Sequence, residues 1–193
     1  MYLVQTVAPI NEVLELAEAK DFMRILEIDD DSQITAMILS AREYAENYTN
    51  RQFITATYEL YSDYFIQDMQ LPKSPIQSIT SVEYMDEDGV YQTLSTDDYY
   101  IYGENGVSKI YFEDMPTHKD RKNAIKITFV SGYGDNSADV PSGIKSYLLV
   151  MTSTLYENRE QYIVGVSIDT MANPLLDKML MMYKVRTVWE QGT

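Results

Sequence analysis

The period of the hydrophobic residues changes twice along this chain of 193 residues, and that double change restricts its fold more than any other feature. Leu16, Ala19, Met23 and Leu26 fall at i, i+3, i+7 and i+10, and Ile34, Met37, Ile38, Ala41, Ala45 and Tyr48 repeat the helical spacing. These stripes predict helices over about 13–26 and 31–49. Asp30, Asp31 and Ser32 offer capping oxygens and negative charge to the positive end of the second helix. From Phe53 to Ser131 the helical period disappears. Segments rich in Tyr, Ile, Val, Thr and Phe are punctuated at Leu71-Pro72, Ser74-Pro75, Asp88-Gly89, Gly103 to Gly106 and Met115-Pro116. They predict strands at about 54–62, 76–85, 90–94, 99–102, 108–112 and 124–130. A hairpin is expected around Asp86-Glu87-Asp88-Gly89, where the late glycine suits positive φ. After Gly132-Tyr133-Gly134 the helical period returns. Val140-Pro141 opens a third helix whose stripe is Ile144, Leu148, Met151 and Leu155, ending near Asn158-Arg159.

The elements predict an α+β fold: a small helical core of three main helices plus a short C-terminal helix, with an antiparallel β insertion between helices two and three. Residues 1–52 supply the N-terminal core helices, 53–131 the insertion, 132–160 the third core helix, and 161–193 a C-terminal arm with its short helix. A single domain is expected, since a chain of this length buries roughly 70% of its unfolded surface. Within the arm, Tyr162 to Ile168 alternates loosely like a strand, and Asn173-Pro174 caps a helix running to about Tyr183. Leu175, Leu176, Met179, Leu180, Met181 and Met182 give it too much apolar surface for a free tail. Four of the eleven methionines lie between 171 and 182, and methionine fills irregular contacts.

Composition excludes several functions. There is no cysteine, which removes disulfides, thiolate nucleophiles and cysteine zinc sites. The segment Met1 to Ile10 has no basic n-region, and no apolar run approaches the ~20 residues of a membrane span, so a soluble, unexported protein is expected. Thirty acids against fifteen bases give a net charge of −15, which repels a phosphate backbone. Residues 132–193 carry seven acids and five bases, so like-charge repulsion at a protein contact is weakest there.

No constellation supports catalysis. Asp29-Asp30-Asp31 could attract a hard cation, but consecutive residues at a helix start diverge, and capping is favoured at roughly nine in ten. Asp86-Glu87-Asp88-Gly89 lacks the later ligands of a calcium loop, because Val90 and Asp97 stand at its fifth and twelfth positions. His118, the single histidine, lies in the charged loop Thr117 to Lys122, where solvation outweighs a general-base role. There is no phosphate-binding glycine loop, nucleophile elbow or His-Glu-x-x-His pair, so no catalytic, cofactor-binding or metal-ligating residue is expected. Tyr84, Tyr91, Tyr99, Tyr100, Tyr102 and Tyr111 read as sheet packing, roughly two to one over an interface.

One block joins these elements. Leu-x-x-Ala-Lys-x-x-Met-Arg (16–24), Asp-Asp-x-x-Ile-x-x-x-Ile-x-x-Ala-Arg (30–42) and Glu-Asn-Tyr-Thr-x-Arg-Gln (46–52) follow in fixed order. Leu71-Pro72-x-x-Pro75-Ile76 through Asp88-Gly89 comes next. Then follow Ile127 to Gly134, Val140-Pro141-x-x-Ile144-Lys145 and Leu155 to Glu160. Together they resemble the head-tail connector, or head-completion, proteins of tailed bacteriophages over about residues 14–160. Met23 departs from the usual leucine, and the methionine-rich end after Tyr162 has no counterpart in the pattern.

The resemblance implies a structural virion protein that forms a ring, a dodecamer in the family, below the portal at the head-tail junction. Such a ring closes the packaged head and offers a platform for the tail. The implied partners are other copies of the chain, the portal protein and a tail-side adaptor or stopper, with DNA only passing through and no membrane or cofactor. Synthesis would be in the bacterial host cytoplasm, with the virion as destination. A head-to-tail ring needs two different complementary faces per subunit. The helical pair 31–49 with 141–159 and the arm 162–183 are the candidates. They give an expected interface of Tyr48, Arg51, Tyr156, Arg159, Tyr162, Ile163, Val164, Leu175, Leu176, Met179, Leu180 and Met182. The rival readings are another virion or tail-side adaptor and, less favoured, a metal-dependent hydrolase built on the acidic clusters.

Overall fold

The computed structural model describes residues 1–104, 106–158 and 174–185. Helices and antiparallel sheets coexist, as the two changes of period require. The chain divides into two compact units. One comprises Met1–Ile10, Asn50–Asp135 and Val185–Thr193; the other comprises Asn11–Thr49 and Asn136–Lys184.

The first unit is built on eight strands: β1 (Tyr2–Val7), β2 (Ala56–Ser62), β3 (Asp68–Gln70), β4 (Ile76–Met85), β5 (Tyr91–Thr93), β6 (Tyr99–Glu104), β7 (Val107–Phe112) and β8 (Ile125–Ser131). They form a five-stranded sheet in the order β1-β2-β8-β4-β5 and a three-stranded sheet in the order β3-β7-β6, with antiparallel pairings throughout. Strict alternation sets the core face. Ala56, Tyr58, Leu60 and Ser62 of β2 point inward opposite Ser131, Phe129, Ile127 and Ile125 of β8. The Tyr58 and Phe129 rings stack with centroids 5.8 Å apart. Met69, Ile110 and Phe112 of the smaller sheet join the same buried cluster.

Two strands escape the sequence pattern. β1 is an edge strand with only Leu3 and Val4 partly covered, so no alternation marks it. β3 has three residues, too few to carry a period. The hairpin forms as expected: Glu83, Tyr84 and Met85 pair with Thr93, Gln92 and Tyr91, and Gly89 takes φ +87°. After β8, Gly132 has φ +131°, and a Cβ there would lie 2.7 Å from the Thr55 amide nitrogen. Only glycine allows that approach, which the hydrogen bonds from Gly132 to Pro75, Tyr133 to Phe53 and Thr55 to Gly134 hold in place.

The second unit holds α1 (Leu16–Met23), α2 (Asp31–Thr49), α3 (Ser142–Glu157) and α4 (Pro174–Met181). α2 has the bounds its stripe predicts and buries Ile34, Ile38, Ala41 and Ala45. It stops where Asn50 turns to φ +54°. α1 is shorter than the expected 13–26. Arg24 adopts a left-handed conformation at φ +58° and closes the helix, so Leu26 falls beyond it. Val13 and Leu14 are buried ahead of the helix, in the lead-in to it. α3 starts after Pro141 and buries Ile144, Tyr147, Leu148 and Thr152. Its Gly143 is a contact site: a Cβ there would lie 2.6 Å from the Tyr183 hydroxyl.

Candidate functional site

The expected interface residues divide by unit. Arg51 belongs to the β unit, where its Nη2 donates to the Gly106 carbonyl at 3.2 Å and its guanidinium lies 6.0 Å from the Tyr133 ring centroid. Tyr48, Tyr156, Leu176, Met179, Leu180 and Met182 belong to the helical unit. Arg159, Tyr162, Ile163 and Val164, together with Trp189 and the side chain of Leu175, lie outside the described residues.

α2 and α3 pack antiparallel, so Tyr48 and Tyr156 sit at opposite ends of the pair. The Tyr156 hydroxyl, near the end of α3, donates to Asp30 Oδ2 at the start of α2 at 2.6 Å. Tyr48, near the end of α2, stacks on Tyr44 at 6.1 Å and carries Lys184 Nζ 5.0 Å above its ring. Tyr183 lies against Gly143 near the start of α3. Leu180 is fully buried and Leu176 nearly so, because α4 packs on α2 and α3 of its own chain. Met179 is half-buried. Met182 is 77% exposed, with Met181 beside it at 62%.

The acidic motifs resolve into local roles. Asp31 pairs with Lys20, and Asp30 accepts from Tyr156. Asp86 accepts from the Val90 amide at 2.9 Å and from Gln92 at 2.8 Å, and these bonds hold its carboxyl below the usual carboxylate range. Among the described residues no three acidic or histidine side chains converge on a point that could hold a metal. His118 meets the Phe65 ring edge-on at 5.4 Å.

Of the six strand tyrosines, Tyr91 is exposed and donates to the Asn123 carbonyl at 2.8 Å, and the other five take two environments. Tyr84 and Tyr99 pack against the β core. Tyr100, Tyr102 and Tyr111 share the opposite face of the three-stranded sheet, where Tyr102 donates to Asp68 and Lys109 pairs with Asp68 and Glu104.

Sequence reasoning missed two features. One is Arg42, which is 7% exposed yet donates to Glu12 at 2.6 Å and to Glu46 at 2.8 Å. Burial pulls its pKa down, but the Glu12 hydrogen bond and the Glu46 charge outweigh that and hold it above the ordinary value. Its spacing from Glu46 by four was the available signal. The other is the exposed apolar loop between α1 and α2, where Leu26 and Ile28 are 87% and 75% exposed. The helical spacing places Leu26 on the α1 stripe, but the helix ends before it.

Comparison with known proteins fixes the family. The family model described as "Head completion protein" matches residues 12–170, more than half of the chain. No curated protein matches the sequence. A chain from the neck of an empty GTA particle, computed with C6 symmetry, matches with a TM-score of 0.79 at 18% identity, covering 97% of this chain and 98% of that one. A chain from the virion of the native gene transfer agent (GTA) particle gives 0.77 at 19% identity with the same coverage. One from the neck of the native GTA particle, computed with C12 symmetry, gives 0.74 at 17% identity, again covering 97% and 98%. At these identities the likeness establishes a shared fold.

Proposed function

Since this chain belongs to the head completion protein family, we propose that it is a structural subunit of the head-tail junction, assembling with copies of itself into a ring below the portal. The observation that carries this reading is the extent of the family match. Residues 12–170 include α1, α2, the strands β2–β8 and α3 in order, so the match covers an arrangement and not one motif. The subunit closes the packaged head, contacts the portal on one side and a tail-side adaptor or stopper on the other, and performs no catalysis. It is made in the host cytoplasm and ends in the virion.

Physical features support the reading. A wall carrying −15 per subunit does not grip passing DNA. The helical unit presents different surfaces at its two ends, the requirement for head-to-tail association. In the proposed division of labour, the helices within residues 1–52 and 132–160 form the core, 53–131 the β insertion, to which β1 adds an edge strand, and 161–193 an arm that meets neighbours. Within that arm Leu176 and Leu180 anchor α4 to its own chain, which leaves Met182 as the exposed one among the expected interface residues described there, with Met181 exposed beside it.

Pull-down of the full-length chain on purified portal rings tests the proposal, with mass photometry reporting its own assembly. Retention on portal together with a homogeneous ring is the expected result. A strictly monomeric protein at high concentration that also fails to bind portal overturns the reading. Truncation after Gln161 is the weaker probe, because removing α4 would strip the cover from Leu180's neighbours. Met182→Glu probes the arm without that side effect.

A further inference from the structure

The two ends of the helical unit differ in chemistry as well as position. From Asp30 to Tyr48 the rise along α2 is about 27 Å. The Tyr156 hydrogen bond fixes one end, and Tyr183 and Lys184 fix the other. At the first end the loop after α1 holds Leu26 at 87% and Ile28 at 75% exposure, with Phe22 beside them at 51%. That loop is rigidly tied. The Arg24 amide donates to Asp21, the Ile25 amide donates to Lys20 at 3.0 Å, and the Lys20 ammonium donates to the Glu27 carbonyl at 2.7 Å while pairing with Asp31. Two large aliphatic side chains held out in water on a hydrogen-bonded loop are apolar anchors for which the backbone part of the ordering cost is met before binding.

At the far end Met181 and Met182 form an exposed, adaptable apolar surface. The charges around the two patches are opposite. Residues 20–31 carry five acids and two bases, whereas residues 177–184 carry two lysines and one acid, and both lysines are exposed.

We propose that the Leu26 and Ile28 knob of one copy seats on Met181 and Met182 of a second copy, with Lys178 and Lys184 facing the acids around the knob. Because the two patches lie at opposite ends of the unit, each copy engages two neighbours head to tail, the heterologous contact from which rings are made. The inference rests on the ring-subunit reading and supplies the contact that reading requires.

The chain has no cysteine, so introduced cysteines report alone. Leu26→Cys and Met182→Cys are prepared separately, mixed and oxidised. Seating at the knob raises the effective concentration of the pair. The mixed disulfide is therefore expected at least about fivefold above either homodimer and above a mixture of Leu26→Cys with the exposed control Val90→Cys. Equal yields in all mixtures, or a dominant Leu26 homodimer, overturn the contact. In parallel, Leu26→Asp with Ile28→Asp is expected to melt as the wild type does and to lose self-association; retained assembly overturns the contact. Wild-type rings without the mixed disulfide sink the contact and leave the ring reading standing. A mixed disulfide from a chain that neither closes into a ring nor binds portal does the reverse.

Discussion

Arg42 shows how one buried charge is tolerated. Its guanidinium satisfies Glu12 and Glu46 together, and Glu46 is itself 5% exposed. Taking away the cation leaves a buried carboxylate without that compensation, so Arg42→Ala is expected to cost about 3 kcal/mol in urea unfolding. The double change Arg42→Met with Glu46→Leu removes both charges and should cost clearly less. Equal losses in the two would show that the charges do not govern the site. Gly143 offers a second test at this scale. Gly143 is the second residue of α3, where alanine is favoured over glycine by less than the interior figure of about 1 kcal/mol, and here its Cβ would meet the Tyr183 hydroxyl at 2.6 Å. Gly143→Ala is therefore expected to gain nothing or to destabilise in the wild type, and to gain less than about 1 kcal/mol in a Tyr183→Phe background. A gain of the same size in both backgrounds would mean that the contact does not constrain the helix.

At the scale of elements, the β4–β5 hairpin depends on a titratable side chain. Asp86 is held below its usual range first by the Val90 amide and then by Gln92. A carboxylate whose folded pKa is depressed contributes stability above its unfolded value, near 3.9, and loses it as pH falls through the folded value. Protection of the Val90 amide, its exchange rate taken relative to the intrinsic rate at each pH, is thus expected to fall only below about pH 4, and Asp86→Asn should flatten that response. An unchanged pH profile in Asp86→Asn would assign the hairpin's stability to its strand pairs alone. The same turn explains why this hairpin was legible. A glycine at φ +87° after three acidic residues leaves a local trace in the sequence, while the edge strand β1 depends on pairing with residues some fifty positions away and leaves none.

At the scale of the whole molecule the charge of −15 opposes self-association at long range, whereas the proposed knob contact acts over a few ångströms. Screening separates the two. The Debye length falls from about 30 Å at 0.01 M salt to about 8 Å at 0.15 M, which removes most body-to-body repulsion and retains short contacts. Self-association is therefore expected to strengthen between those concentrations, as sedimentation velocity would register. Weakening over that range would show that attraction between charged patches outweighs the net repulsion, contrary to the balance argued here.

Periodicity by itself determined the α+β class, the bounds of α2, the approximate bounds of α3 and the strands β2 and β4 through β8, because a helix or strand facing a core must repeat its apolar residues at a fixed interval. Order of motifs determined the family. Tertiary structure alone decided which apolar residues remain for a partner. Leu180 and Leu26 look alike in the sequence, yet the first is sealed where α4 packs on α2 and α3 and the second stands in water, because a left-handed Arg24 ends α1 two residues before it. The placement of Asp30 beside Tyr156, and of Lys184 above Tyr48, likewise brings together residues more than a hundred positions apart. No local period encodes such pairings, because each depends on how several helices pack at once.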